Sequence, residues 1–303
     1  MSHLPKQLYW AIEKPEEREI EALYWRKVRS LARLFSTSVT LLNASDAPKI
    51  FEGLRLSKAQ AKELHEPQNK KIQKQLDALL PLLTEKYPLS VSYKIITERP
   101  FFEAVINAIK QQENTWLVLQ NSKKTGISNI VWQFIRACPQ PIYLAKQKDW
   151  RRPLNILAAI DPTHENDENA LLDHKVLATA KAIADSCSAN LHIIHCYTPV
   201  IMADNAIQKR IESLYRENFY ETIEPYNIDQ DKTYLLAGDP SRKIEQLCAS
   251  LEVDLIVMGA VSRNSLQRIF IGNTVEEVIP TVESDILLVK ALAKERKKYG
   301  GSL

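Results

Sequence analysis

The chain is poor in glycine and cysteine and has no long apolar run. Only seven of its 303 residues are glycine, where average usage of about 7% would give roughly three times as many. A glycine-rich phosphate cradle, which needs several close backbone approaches in one loop, is therefore nearly excluded. The four cysteines, Cys138, Cys187, Cys196 and Cys248, form no C-x-x-C pair. That argues against structural zinc and a disulfide scaffold, and it suits a reducing compartment. No stretch approaches the ~18–20 apolar residues of a bilayer span, and the opening MSHLPKQLYWAIEK has no apolar core behind a basic leader. These absences predict a soluble, cytoplasmic chain without stable membrane binding.

What is present is globular composition, 45% apolar and 25% charged, at a length that fits two domains of about 100–150 residues. A net charge of +3 conceals an imbalance: residues 1–150 carry 23 Lys/Arg against 15 Asp/Glu, and residues 151–303 carry 17 against 22. The halves are thus +8 and −5, and all five tryptophans (Trp10, Trp25, Trp116, Trp132, Trp150) lie in the first. The two parts differ in surface whatever they share in fold.

Short aliphatic runs at Leu154–Ile160, Leu191–Cys196, Thr233–Ala237, Asp254–Met258 and Asp285–Val289 read as strands. Helical patterns lie between them, at Ala170–Ala184, near residues 203–221, after Asp239-Pro240 and after Gly272. Asp239 as N-cap with Pro240 at the first helical position is a specific start signal. The first half repeats the order, with strands at Leu8–Glu13, Ser38–Asn43, Val91–Thr97, Thr115–Gln120 and Pro141–Lys146 and a long helix over Ser57–Lys86. Local echoes support a duplication: Ala11-Ile12-Glu13 answers Ala159-Ile160-Asp161, and Glu98-Arg99-Pro100 answers Gly238-Asp239-Pro240. Alternating short strands and helices predict an α/β chain with parallel sheets covered on both faces. The repeat predicts domains at residues 1–147 and 148–303, joined by the charged, proline-closed stretch Lys148–Pro153.

In an open parallel sheet a ligand sits beyond the carboxyl ends of the strands, where the strand order reverses. In the second half those ends carry Asp161, Cys196 and the run Met258-Gly259-Ala260-Val261-Ser262-Arg263, while Gly272-Asn273-Thr274 opens the last helix as a candidate anion seat. The set Leu255-Ile256-Val257-Met258-Gly259, Ser262-Arg263, Gly272-Asn273-Thr274, Val278 and Asp285-Ile286-Leu287-Leu288-Val289 resembles the signature end of the universal stress protein domain. That family's nucleotide-binding members place a glycine, two residues, a second glycine, nine residues, and a third glycine followed by Ser or Thr. Here the spacing is kept and the chemistry altered: Ser262 stands at the second glycine and Asn273 at the hydroxyl position. In the first half, Arg99-Pro100-Phe101-Phe102-Glu103-Ala104-Val105-Ile106 and Trp132-Gln133-Phe134-Ile135-Arg136-Ala137-Cys138-Pro139 resemble the family's tandem E type.

The resemblance implies two tandem doubly wound domains, each a five-stranded parallel sheet of order 3-2-1-4-5, packed as an internal pseudo-dimer. It implies a nucleotide site formed by Ala159, Asp161 and Cys196 near base and ribose, with Met258, Gly259, Ser262, Arg263, Gly272, Asn273 and Thr274 around phosphates. In the first half Gln120 replaces Gly259 and the loop from Gln120 to Pro141 is shorter, so a single site is expected. The function implied is a non-enzymatic stress-response binding or protective module, in a family linked to tolerance of DNA damage and oxidants. The rival reading is an ATP-binding, weakly hydrolysing or self-phosphorylating switch in the second-half crevice. A third is a carrier of a lipid-like small ligand, suggested by the tryptophan-rich first half; a homodimer is a further possible assembly.

The remaining features read as structural. His192 and His195 face opposite sides of one strand, so the trio His192, His195 and Cys196 is an awkward metal set. His195 reads as an ordinary strand-end residue, and Cys138, Cys187 and Cys248 as small core fillers. Asp161 has no accompanying nucleophile or second carboxylate, which makes it a ligand anchor or loop cap rather than a base. Lys290, Lys294, Arg296, Lys297 and Lys298 read as a basic tail without the aromatic residues of a nucleic-acid surface.

Overall fold

The computed structural model describes residues 4–12, 18–44, 57–84, 89–121, 126–162, 168–199, 205–260 and 272–290. Two compact units emerge, residues 5–120 and residues 121–303 with the first four residues. The first contains β1 (Gln7–Ile12), α1 (Arg18–Leu34), β2 (Ser38–Ala44), α2 (Lys58–Thr84), β3 (Val91–Ile96), α3 (Phe101–Ile109) and β4 (Thr115–Gln120). Its strands are parallel in the order β3-β2-β1-β4. Tyr24, Val28, Leu31 and Ala32, spaced by three and four, put one buried stripe of α1 on the sheet.

The second unit contains α4 (Asn129–Ala137), β5 (Ile142–Ala145), β6 (Asn155–Ala159), α5 (Glu168–Cys187), β7 (Asn190–Tyr197), α6 (Asn205–Ile223), β8 (Thr233–Ala237), α7 (Pro240–Ser250), β9 (Leu255–Ala260), α8 (Asn273–Thr281) and β10 (Asp285–Lys290). The strand order is β5-β10-β9-β6-β7-β8, parallel throughout except that β5 runs antiparallel to β10. β6 is the switch point, because the chain leaves it toward β7 and β8 and returns on its other side to β9 and β10. α7 starts as its sequence dictates: Asp239 accepts a hydrogen bond from Arg242 N at 3.0 Å, with Pro240 at the first position.

The packing units and the repeat divide the chain at different places. The repeat expected from sequence breaks at Lys148, whereas α4 and β5, residues 129–145, pack with the second unit. Their attachment is specific. In the antiparallel pair Tyr143 faces Leu287, and a lysine follows or ends each strand. Lys146 Nζ donates to the Ile279 carbonyl at 2.6 Å and to the Val282 carbonyl, at the end of α8. Lys290 Nζ donates to the Ile135 carbonyl at 2.7 Å, near the end of α4. Lys146 and Lys290 are 144 residues apart, as are Ile135 and Ile279, so each repeat caps the other's helix. The reading of Lys290 as part of an exposed tail is therefore corrected: it is buried at the end of β10, and the remaining tail residues lie outside the described ones.

The stretch from Lys148 to Pro153 is also no loose tether. Trp150 Nε1 donates to Asp285 at 2.6 Å, Arg151 N to Asp254 at 3.1 Å, and Lys148 Nζ to the Val253 carbonyl at 3.1 Å. Asp285 accepts further bonds from the Tyr143 hydroxyl and from Lys146 N at 2.6 Å. Burial and this carboxylate push the Tyr143 phenol well above its ordinary range. These buried acids sit at the amino ends of β9 and β10, opposite the end where a ligand would bind.

Candidate functional site

Five of the ten expected residues lie at the carboxyl ends of β6, β7 and β9. Ala159 ends β6 in direct register with Met258 of β9, and Met258 is buried. Asp161 follows β6 with an exposed side chain, its backbone N–H donating to Asp173 Oδ1 of α5 at 3.1 Å. Cys196 lies half-buried near the end of β7. Burial pushes its thiol up to about 11; Lys243 opposes that shift, and Asp239 and Asp161 add to it. A thiol so raised is mostly protonated at neutral pH and a weak nucleophile.

Gly259 and Gly272 are positioned by different needs. A Cβ on Gly259 would lie 2.7 Å from Leu172 Cδ2 and 2.9 Å from its Cγ, so α5 presses a leucine onto the strand where this glycine leaves room. Gly272 precedes α8 with φ +82°, a conformation that favours glycine. Among the described residues nothing lies within 4 Å of where its Cβ would stand, and no side chain of theirs caps the helix. Asn273, exposed, and Thr274, half-buried, form the first turn. Ser262 and Arg263 lie outside the described residues.

One residue the sequence reading treated as ordinary is central to this end of the sheet. His195 is 2% exposed, with Phe219 and Tyr215 of α6 at ring separations of 6.1 Å and 5.9 Å. Its Nδ1 lies 3.2 Å from the Ile160 carbonyl. A carbonyl can only accept, so Nδ1 carries the proton. Burial lowers the imidazole pKa; Asp161, whose Oδ1 is 3.8 Å away, and the Ile160 carbonyl oppose the shift. That leaves Nε2 as the ring's acceptor nitrogen, an atom buried without a partner among the described residues. Sequence spacing gives no sign of this, because the aromatic residues that enclose the ring come from a helix that begins after the strand has ended. Among the described residues no group of three His, Cys, Asp or Glu is placed to hold a metal ion. No helix among them is long and apolar enough to cross a membrane.

Residues 154–290 match the universal stress protein family. A universal stress protein E homolog of Haemophilus influenzae is 26% identical over 176 residues, covering 55% of this chain and 57% of that protein. Universal stress protein E of Photorhabdus laumondii is 23% identical over 219 residues, covering 67% of this chain and 69% of its own length. A crystal structure of a functionally unknown protein from Pseudomonas aeruginosa superimposes with a TM-score of 0.75 at 21% identity, over 95% of this chain and 94% of that one. The last comparison shows the α/β fold along nearly the whole chain.

Proposed function

We propose, from the premise that residues 154–290 belong to the universal stress protein family, that the protein is a cytoplasmic stress-response binding and protective module. In this reading it recognises a small ligand at the carboxyl ends of β6, β7 and β9 and performs no chemistry on it. The observation that carries the reading is the place of Leu172. Gly259 stands where a backbone would come close to a phosphate, and the leucine of α5 already fills the space its missing side chain leaves. The raised Cys196 thiol supports a recognition surface over a covalent catalyst. The antiparallel pairing of β5 with β10 supports joining of the repeats as an internal pseudo-dimer.

A second reading, an ATP-binding switch, draws on Gly272. Among the described residues nothing crowds this glycine or caps the start of α8, which supports backbone N–H groups suited to an anion. Calorimetric titration of the whole chain with ATP and magnesium separates the two. No saturable heat below millimolar ATP is expected. A micromolar affinity that disappears in Gly272→Val would overturn the first reading in favour of the second.

A further inference from the structure

The end of the first unit's sheet that corresponds to the ligand end of the second is built from different chemistry. Trp10 of β1 is 4% exposed, and its indole stacks on Trp25 of α1 at 6.2 Å between centroids and 13° between planes. The face it occupies follows from the register. Trp10 pairs with Leu41 of β2 and Val118 of β4, and Ile12 pairs with Asn43. Partners in parallel register share a face, and so do residues two apart on one strand. Asn43, Trp10 and Gln120 therefore project to the α1 side, with Asn43 and Gln120 on the strands that flank β1.

Two polar atoms on this face are buried without a hydrogen-bond partner among the described residues: the Trp10 Nε1 donor and the Gln120 Oε1 acceptor. Asn43, also buried, donates to its neighbour's carbonyl at 3.4 Å. Most buried polar atoms in folded proteins are paired, because each unpaired one forfeits its water without recompense. One such atom would be an isolated defect. A donor and an acceptor on one face, beside a stacked indole pair at the ligand end of a doubly wound sheet, form a complementary set. In the second unit the matching place on the sheet, Gly259, is covered by Leu172. The first unit has a glutamine amide there.

We infer that the first unit binds a small, uncharged, planar molecule with a lactam or carboxamide edge. Its carbonyl accepts from Trp10 Nε1–H and its N–H donates to Gln120 Oε1, while Trp25 and Trp10 supply the flat apolar wall. The chemistry sets the ligand's charge. A carboxylate would face the amide oxygen, and a cation would face the indole N–H, so only a neutral group satisfies both atoms. The site stands on residues of the first unit alone and is independent of what the second-unit crevice holds.

The test uses the full chain labelled with 15N at tryptophan. The Nε1–H resonance of Trp10 is assigned by its loss in Trp10→Phe, and uracil and nicotinamide serve as probes, with benzoate as the charged planar control. The expected result is a saturable shift of the Trp10 resonance with uracil or nicotinamide and none with benzoate. Affinity should fall at least tenfold in Gln120→Leu and stay unchanged in Trp132→Phe. Thermal scans without probe should show Gln120→Leu folding at least as stably as the parent, since it removes a buried unpaired oxygen. If the leucine lowers the melting midpoint, Gln120→Met replaces it. A Trp10 resonance unmoved by both probes overturns the inference and leaves an interior water as the partner of these atoms. So does equal affinity in the parent and the folded Gln120 variant.

Discussion

Substituting Gly259 by alanine asks what that glycine is for. The added methyl would sit 2.7 Å and 2.9 Å from Leu172 Cδ2 and Cγ, nearer than carbon atoms approach without displacement. Leu172 is buried and Cγ is not the free end of its chain, so relief requires a rotamer change or a shift of α5. Overpacking of this kind costs about 1–3 kcal/mol. Leu172→Ala alone removes a buried leucine and costs about 2–5 kcal/mol. Because both changes act on the same contact, they should not add. The double variant should be more stable than the sum of the two by at least about 1 kcal/mol, the alanine methyl occupying part of the space the leucine vacates. Urea unfolding of the parent, both single variants and the double variant measures the coupling. Additivity within about 0.3 kcal/mol would refute the argument that Gly259 serves helix packing, and a Gly259→Ala variant as stable as the parent would do so more directly.

Two further outcomes follow from titratable groups. Burial lowers the Lys146 ammonium to about 8, against Asp285, Cys248 and Glu283, which pull it up. Below that pH both folded and unfolded chains hold the proton; between about 8 and 10.5 the unfolded chain binds more, so stability should rise with pH relative to Lys146→Met. The gain is up to about 3 kcal/mol on the scale of 1.36 kcal/mol per unit, and a difference between the two proteins that stays flat across this window would disprove it. For Cys196, raised to about 11, alkylation by iodoacetamide at pH 7 should run at least tenfold slower than for a free thiol of pKa about 8.5; a rate at or above that of the free thiol would mean the site is exposed.

The strands and helices were legible because each is a local pattern. Thr115–Gln120 and Thr233–Ala237 are short apolar runs between turn residues, and the structure places strands at those positions. The start of α7 was legible for the same reason, since an aspartate followed by proline settles a helix end within four residues. The site was legible only as a list of positions. Ala159, Asp161, Cys196, Met258 and Gly259 fall near the ends of three strands, but what covers them is supplied by α5 and α6. Leu172 over Gly259 and Phe219 over His195 are contacts made across tens of residues, and no spacing rule announces them. Lys290 shows the limit most clearly: beside a run of basic residues it reads as tail, yet its partner carbonyl is Ile135, 155 residues away.

The crossed lysines bear on how such a chain can be cut. A duplicated domain ordinarily leaves two copies that selection can keep, lose or exchange one at a time. Here the last strand of each copy supplies the cation that closes a helix of the other. A deletion at the repeat boundary would strip Lys146 from Ile279 and Lys290 from Ile135 in one event. The unit that can be excised without loss is therefore larger than one repeat. A chain cut back to one repeat would need a new partner for the helix end it kept.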